Sequence, residues 1–200
     1  MKHVSDVLAR TIACLDDFGV HYALIGGLAV SVRSEPRFTR DVDIAVAVDS
    51  DEAAEQLVRA MFGRGFELHM QIEQKTDGRL ATCRLTHRDD PGSTIVDLFF
   101  ASSGIEHEVI AAADMVALTD SIELPVVQSE DLIVLKLLAV ANRRNAQDTQ
   151  DVVNLLQMVD PERLDRTRML IRLVSHRRPQ SGKNLQAVFE QLLEQVRETD

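Results

Sequence analysis

Ile25-Gly26-Gly27-Leu28 and, with thirteen residues between Gly27 and Asp41, Asp41-Val42-Asp43-Ile44-Ala45-Val46-Ala47-Val48 decide the fold of this chain. In the second stretch the even positions are Val, Ile, Val and Val, and the odd positions Asp, Asp, Ala and Ala. That alternation predicts a strand with one face in a core and a second face that begins with two carboxylates. Side chains two apart on a strand project to the same side, so Asp41 and Asp43 are expected roughly 7 Å apart by Cα. Like charges so placed repel, and apolar neighbours make this worse. A divalent cation resolves the conflict, and hard Mg²⁺ prefers carboxylates, water and phosphate oxygens. Gly26-Gly27 follows an apolar run over 22–25 and precedes a short helical segment over 28–33. Glycines there let backbone N–H groups approach a polyphosphate, and the helix adds its positive end.

In-line phosphoryl chemistry with two metals calls for a third carboxylate. Asp97, the single charge in Ile95-Val96-Asp97-Leu98-Phe99, is the candidate. Buried without compensation it would be costly, so a metal, a partner or water must account for it. Ser31 and Arg33, on the short helix, are further candidates for phosphate contact. Taken singly, each feature has a structural alternative: a Gly-Gly turn, a solvated Asp-x-Asp face, a strand-end Asp.

The totals fit one domain or two compact ones: 200 residues, 45% hydrophobic, enough for a sizeable core. With no Trp and 4% aromatics, few residues are available to stack on bases. A formal net charge of −10 argues against broad DNA coating. Cys14 and Cys83 have no paired metal spacing, which predicts a reducing, cytoplasmic setting. No apolar run approaches the roughly 20 residues of a membrane helix. The six histidines show no ligand spacing and receive no role.

Outward from the glycines, helical periodicity covers 4–18 and 51–62, and strand-like runs cover 66–72, 80–86 and 94–99. Asp77-Gly78 and Asp90-Pro91-Gly92 supply turn signals between them. Short strands are expected over 115–118 and 122–127. From Ser129, a predicted N-cap, the signal becomes helical, with further helices over 146–158, from Pro161 to about residue 175, and over 185–197. The expected architecture is α+β, followed by a C-terminal helical bundle.

The order of these residues resembles the signature of the DNA polymerase β-like nucleotidyltransferase superfamily: two small residues, a spacer, Asp-x-Asp, and a later strand with a third Asp. Arg37-Phe38-Thr39-Arg40-Asp41-Val42-Asp43 is similar to the Arg-x-Thr-x-Asp-x-Asp form of the AbiEii-type group, toxins of bacterial toxin–antitoxin and phage-defence systems. Lys136, Arg143-Arg144 and Asp148-Thr149-Gln150-Asp151 resemble that group's helical motif of Lys, Arg and Asp-x-x-Asp. The likeness spans residues 22–156. It implies a nucleotidyltransferase-type mixed sheet with flanking helices; the shift to a helical signal along the chain places that domain over 1–110 and a mainly helical one over 111–200. It also implies an enzyme that uses Mg²⁺ or Mn²⁺ and an NTP, with a tRNA 3′ end as acceptor and a cognate antitoxin as partner.

On this resemblance Asp41 and Asp43 ligate metal and triphosphate, and Asp97 holds a second metal and helps deprotonate the acceptor. Gly26 and Gly27 hold phosphates, Lys136 and Arg143 neutralise charge, and Asp148 sits near the substrate. Lys136 has its own chemical argument, since a lysine in an apolar helix must meet an anion or reach water. The structural alternative is a helix pair held by Lys–Asp and Arg–Asp ion pairs, with Asp151 as a partner only. Arg163, Arg166, Arg168, Arg172, Arg177, Arg178 and Lys183 are expected to hold an RNA backbone or to form a solvated face. The acceptor could instead be a small hydroxylated molecule or a protein side chain. A non-catalytic binding domain is the remaining alternative, against which the intact glycines and carboxylates count.

Overall fold

The computed structural model describes residues 2–73, 80–100, 103–143, 146–179 and 184–199, with the side chains of Lys2, Asn142, Arg143 and Thr199 outside that description. The turn expected at Asp77-Gly78, Arg144 and Lys183 lie outside the described residues.

Helix α1 (Lys2–Phe18) leads to β1 (His21–Ile25), α2 (Gly26–Arg33), β2 (Val42–Ala47) and α3 (Asp51–Gly63). Strands β3 (Phe66–Glu73), β4 (Leu80–His87) and β5 (Val96–Phe99) follow, then α4 (Glu106–Ala111), β6 (Asp114–Thr119) and β7 (Ile122–Val126). The chain ends in α5 (Ser129–Arg143), α6 (Ala146–Met158), α7 (Leu164–Arg177) and α8 (Leu185–Thr199). The seven strands form one mixed sheet in the order β3-β4-β5-β2-β1-β7-β6. Thus β6 and β7, on the far side of residue 110, are hydrogen-bonded into the same sheet as the first five. Helices flank that sheet, as the α+β reading expects.

The alternation over 41–48 becomes β2, whose Val42, Ile44 and Val46 are fully buried. β2 pairs antiparallel with β1 and parallel with β5, so it sits inside the sheet with its register fixed on both sides. Ser50 caps α3 by accepting from the Ala53 amide at 3.2 Å, and Asp51 and Glu52 occupy the first turn. At α5 the cap differs from expectation. The Gln128 carbonyl accepts from Asp131 and Leu132 at 3.1 and 2.9 Å, which makes Ser129 the first helical residue instead of the cap. Pro161 opens a single 3₁₀ turn that runs into α7, and the Asp160 side chain accepts from the Glu162 amide. The short α4 had no sequence expectation, because six residues give too little periodicity to detect.

Two acidic residues of α5 anchor the helical half. Asp131 is fully buried. Arg166 of α7 grips it with two hydrogen bonds of 2.6 Å and donates to the Glu108 carbonyl at 3.2 Å. Beside it, Arg163 donates to Glu130 at 2.7 Å, and the Thr167 hydroxyl donates to the Glu130 carbonyl at 3.0 Å. Burial pushes the Asp131 pKa up even against Arg166, so losing that arginine leaves an uncompensated charge in the core. Arg166→Ala should therefore cost about 3–5 kcal/mol in urea denaturation, while replacing Arg166 and Asp131 together with apolar residues recovers most of it. Equal losses in the single and double variants would show that packing, not charge, holds α7.

Candidate active site

Strand register lines up the chemistry. Ile25, Asp43, Asp97 and Arg84 are successive cross-strand partners on β1, β2, β5 and β4. Direct partners share one face of a sheet, so Asp43 and Asp97 stand beside each other, a like-charge pairing that destabilises the sheet. Asp41 precedes β2 by one residue and opens onto the same cleft, which has a volume of about 410 Å³.

Asp97 is 5% exposed, and both of its oxygens are engaged by Arg84, Nε to Oδ1 at 2.9 Å and Nη2 to Oδ2 at 2.7 Å. Asp43 has no such fork. Burial pushes its pKa up, the Asp97 and Asp41 charges push it further, and Lys136 and the Gly27 amide pull it back, leaving it at about 6. The Gly-Gly pair answers to this crowding. Gly26 has φ +65°, and a Cβ there would overlap the Asp43 carboxyl. A Cβ on Gly27 would lie 2.8 Å from both Arg37 Nη2 and Thr39 Oγ1. α2 starts at Gly26 with no side-chain cap, so its first amides face the cleft.

The opposite wall comes from α5 and α6. Lys136 Nζ lies 2.8 Å from Asp148 Oδ1 and 2.7 Å from Asp151 Oδ2. Asp151 also accepts from Arg37 Nη2 at 2.8 Å and Gln147 Nε2 at 3.1 Å. Burial alone would raise the Asp151 pKa, but the hydrogen bonds from Lys136 and Arg37 outweigh it and hold the carboxyl below its usual range. The ion-paired helix pair is thus present, and Lys136 and Asp148 still line the cleft.

Gly26, Gly27, Asp41, Asp43, Asp97, Lys136 and Asp148 therefore converge on one cleft. Ser31 and Arg33 do not line it. The Ser31 hydroxyl donates to the Gly27 and Arg37 carbonyls and accepts from the Arg37 amide. Arg33 reaches the other way, to the Val126 and Val127 carbonyls and to the Asp114 carboxylate. Arg143 closes α5, and its side chain lies outside the described residues. The sequence reading missed Arg84, whose signal was a lone charge in a strand that otherwise alternates Leu, Thr and Cys.

Metal fit rests on donor chemistry. Among the described residues no three or more His, Cys, Asp or Glu side chains are grouped to hold an ion by themselves. Asp41 and Asp43 present two carboxylates to the cleft, and a triphosphate brings further hard oxygens, so the donor set suits Mg²⁺ shared between protein and substrate. The raised Asp43 pKa reflects, in part, a repulsion that such a cation relieves.

Residues 6–200 match the family described as nucleotidyl transferase AbiEii toxin, type IV toxin–antitoxin system. The chain belongs to this family. It is accordingly a nucleotidyltransferase of the toxin–antitoxin type. A comparison with curated proteins gives no match. Among solved structures, ANT(2″)-Ia in complex with adenylyl-2″-tobramycin is 13% identical with a TM-score of 0.56, over 86% of this chain and 98% of its own. MenT4, a nucleotidyltransferase toxin of Mycobacterium tuberculosis, is 21% identical with a TM-score of 0.50, over 87% of this chain and 66% of its own. Both likenesses show the nucleotidyltransferase fold. No helix among the described residues is long and apolar enough to cross a membrane.

Four of the late arginines of this AbiEii-family chain are held in ion pairs, Arg163 and Arg177 from exposed positions and Arg166 and Arg168 from half-buried ones. Arg163 and Arg166 hold Glu130 and Asp131, Arg168 pairs with Asp165 and Glu190, and Arg177 pairs with Glu108.

A pH dependence follows from Asp43. Its folded pKa lies above the ordinary carboxylate value of 3.8, so its contribution to stability is complete below about pH 4 and is lost as pH rises through about 6. Asp43→Asn should stabilise the metal-free protein at pH 7 by up to about 3 kcal/mol, with the gain shrinking towards pH 4. Urea titrations of both proteins from pH 4 to 7 check this, and a difference that ignores pH would contradict it.

Proposed function

We propose that this AbiEii-family enzyme transfers a nucleotidyl group from an NTP to the 3′ hydroxyl of an RNA, the 3′ end of a tRNA, with Mg²⁺ or Mn²⁺. The observation that carries the reading is the cross-strand row of Asp43, Asp97 and Arg84, which meets Gly26-Gly27 and Lys136 at one cleft. The acceptor oxygen attacks the α-phosphorus, the bond to the β-phosphate oxygen breaks, and pyrophosphate leaves. Asp41 and Asp43 would hold the metal, which when bound neutralises the triphosphate and orients it.

The chain's own residues do the rest. The Gly26 and Gly27 amides and the positive end of α2 receive phosphate oxygens. Lys136 and Arg143 carry the positive charge that the departing pyrophosphate needs. Asp97 takes the acceptor proton, which requires Arg84 to turn from its carboxylate toward the triphosphate. Asp148 lies beside Lys136 and faces the acceptor. As a toxin, the protein would act in the cytoplasm, where NTPs and tRNA are found, and be opposed by a cognate antitoxin.

A second reading keeps the chemistry and changes the acceptor to a small hydroxylated molecule. It is favoured by the net charge of −10 and by the internal pairing of Arg163, Arg166, Arg168 and Arg177. The toxin family favours RNA.

Labelled NTPs incubated with Mg²⁺ and total tRNA, protein or aminoglycosides separate the acceptors. Label should appear on tRNA, and Asp41→Ala should reduce it by more than about a hundredfold, the loss that outer partners of a metal site already reach. NTP with Mg²⁺ at 100 times its Kd should stabilise the wild type by about 2.7 kcal/mol and leave Asp41→Ala unchanged. Label on an aminoglycoside and none on tRNA would replace the first reading with the second.

A further inference from the structure

Phe38 is 71% exposed, more than any other large hydrophobic residue among those described. It stands three residues before Asp41, in a chain with no tryptophan and one tyrosine. A lone exposed apolar side chain is ordinary on a protein surface. What distinguishes Phe38 is its mounting. Residues 34–41, between α2 and β2, are held to α2 by Ser31, which accepts from the Arg37 amide at 3.3 Å and donates to its carbonyl at 3.2 Å. They are held to α6 by Arg37, whose Nη2 donates to Asp151 at 2.8 Å. The segment is thus anchored on either side of the cleft.

Side chains alternate along it. Arg37, Thr39 and Asp41 line the cleft, whereas Phe38 and Arg40 do not and are exposed. The Arg40 guanidinium lies 5.3 Å from the centroid of the Phe38 ring. Arg40 has no ion pair among the described residues, in contrast to Arg37 and Arg84. An exposed ring, with a guanidinium that has no carboxylate partner over one of its faces, therefore stands outside the cleft beside Asp41. This pairing suits a nucleobase and its phosphate, because every base has a π-face to stack and arginine adds a cation to the stack.

We propose that Phe38 and Arg40 form a stacking platform for an unpaired base of the acceptor RNA just outside the cleft. The inference rests on the RNA-acceptor reading given above. The donor NTP is the other source of a base, but it is held by groups inside the cleft, which neither Phe38 nor Arg40 lines. An acceptor strand that delivers its end to Asp41 and leaves on the side of the 34–41 segment passes over this pair.

The absence of tryptophan makes Phe38→Trp a single-site fluorescent reporter. Titration with a short single-stranded oligoribonucleotide should quench it, and titration with NTP and Mg²⁺ should not. In steady-state transfer, Phe38→Ala should raise KM for tRNA roughly five- to a hundredfold and leave KM for NTP unchanged. Its kcat at saturating tRNA should change less than twofold, and Phe38→Tyr should restore the wild-type KM. Arg40→Ala should raise the same KM, and more so at low salt.

Quenching by NTP but not by the oligoribonucleotide overturns the proposal, as does wild-type KM for tRNA in Phe38→Ala. If the wild type labels a protein or a small molecule and no RNA, the acceptor reading fails. The platform is then judged on fluorescence alone, and an unquenched Phe38→Trp protein ends it.

Discussion

Asp151 is fully buried, and its carboxylate gathers Arg37 from the segment before β2, Lys136 from α5 and Gln147 from its own helix. A buried carboxylate without such partners would cost several kcal/mol, so the three donors have to come to it together. That requirement joins the two halves of the chain. Arg37 leads into Asp41 four residues later, and Lys136 forms the facing wall, so the geometry of the cleft depends on one anion that lies behind it. Gly27 belongs to the same constraint, because a Cβ there would press against Arg37 and Thr39. A motif that looks like a string of catalytic residues is in part a packing solution around Asp151.

In front of this tie the site stores repulsion. Asp43 and Asp97 are set side by side by strand register, and only Asp97 is matched with a bidentate arginine. Asp43 bears the imbalance, and its raised pKa records it. A structure built only for stability would not place two carboxylates there. The arrangement makes sense for a site completed by positive charge brought in with the substrate, and the strain is tolerated because the residues on either side of the pair, Val42 and Ile44 on β2 and Val96 and Leu98 on β5, are fully buried.

The strands that build this site were legible because their periods are clean. Val42, Ile44 and Val46 alternate with Asp41, Asp43 and Ala45, and no helix fits that pattern. Asp97 stood out for the opposite reason, as one charge among apolar residues. What could not be read was pairing. Arg84 meets Asp97 only because β4 and β5 align at that register, and nothing local encodes it. Likewise Ser31 and Arg33 share a short helix with the glycines, yet a helix of eight residues turns them to other faces, toward Arg37 and toward β7. Beyond residue 110 the same sheet continues, since β7 pairs with β1, and α5 follows directly from β7.

The same logic distinguishes the two aspartates of the helical motif. Asp151 keeps Arg37 and Gln147 if Lys136 turns away, whereas Asp148 has Lys136 as its hydrogen-bond partner. In the proposed reaction an incoming triphosphate competes for Lys136, and the competition costs Asp151 little. Asp148, which also lines the cleft, would be left as a carboxylate with unmet acceptor capacity, and a donor from the acceptor substrate is what would satisfy it. In that reaction one lysine shared between a structural and a cleft-facing carboxylate would couple arrival of the donor to a demand for the acceptor.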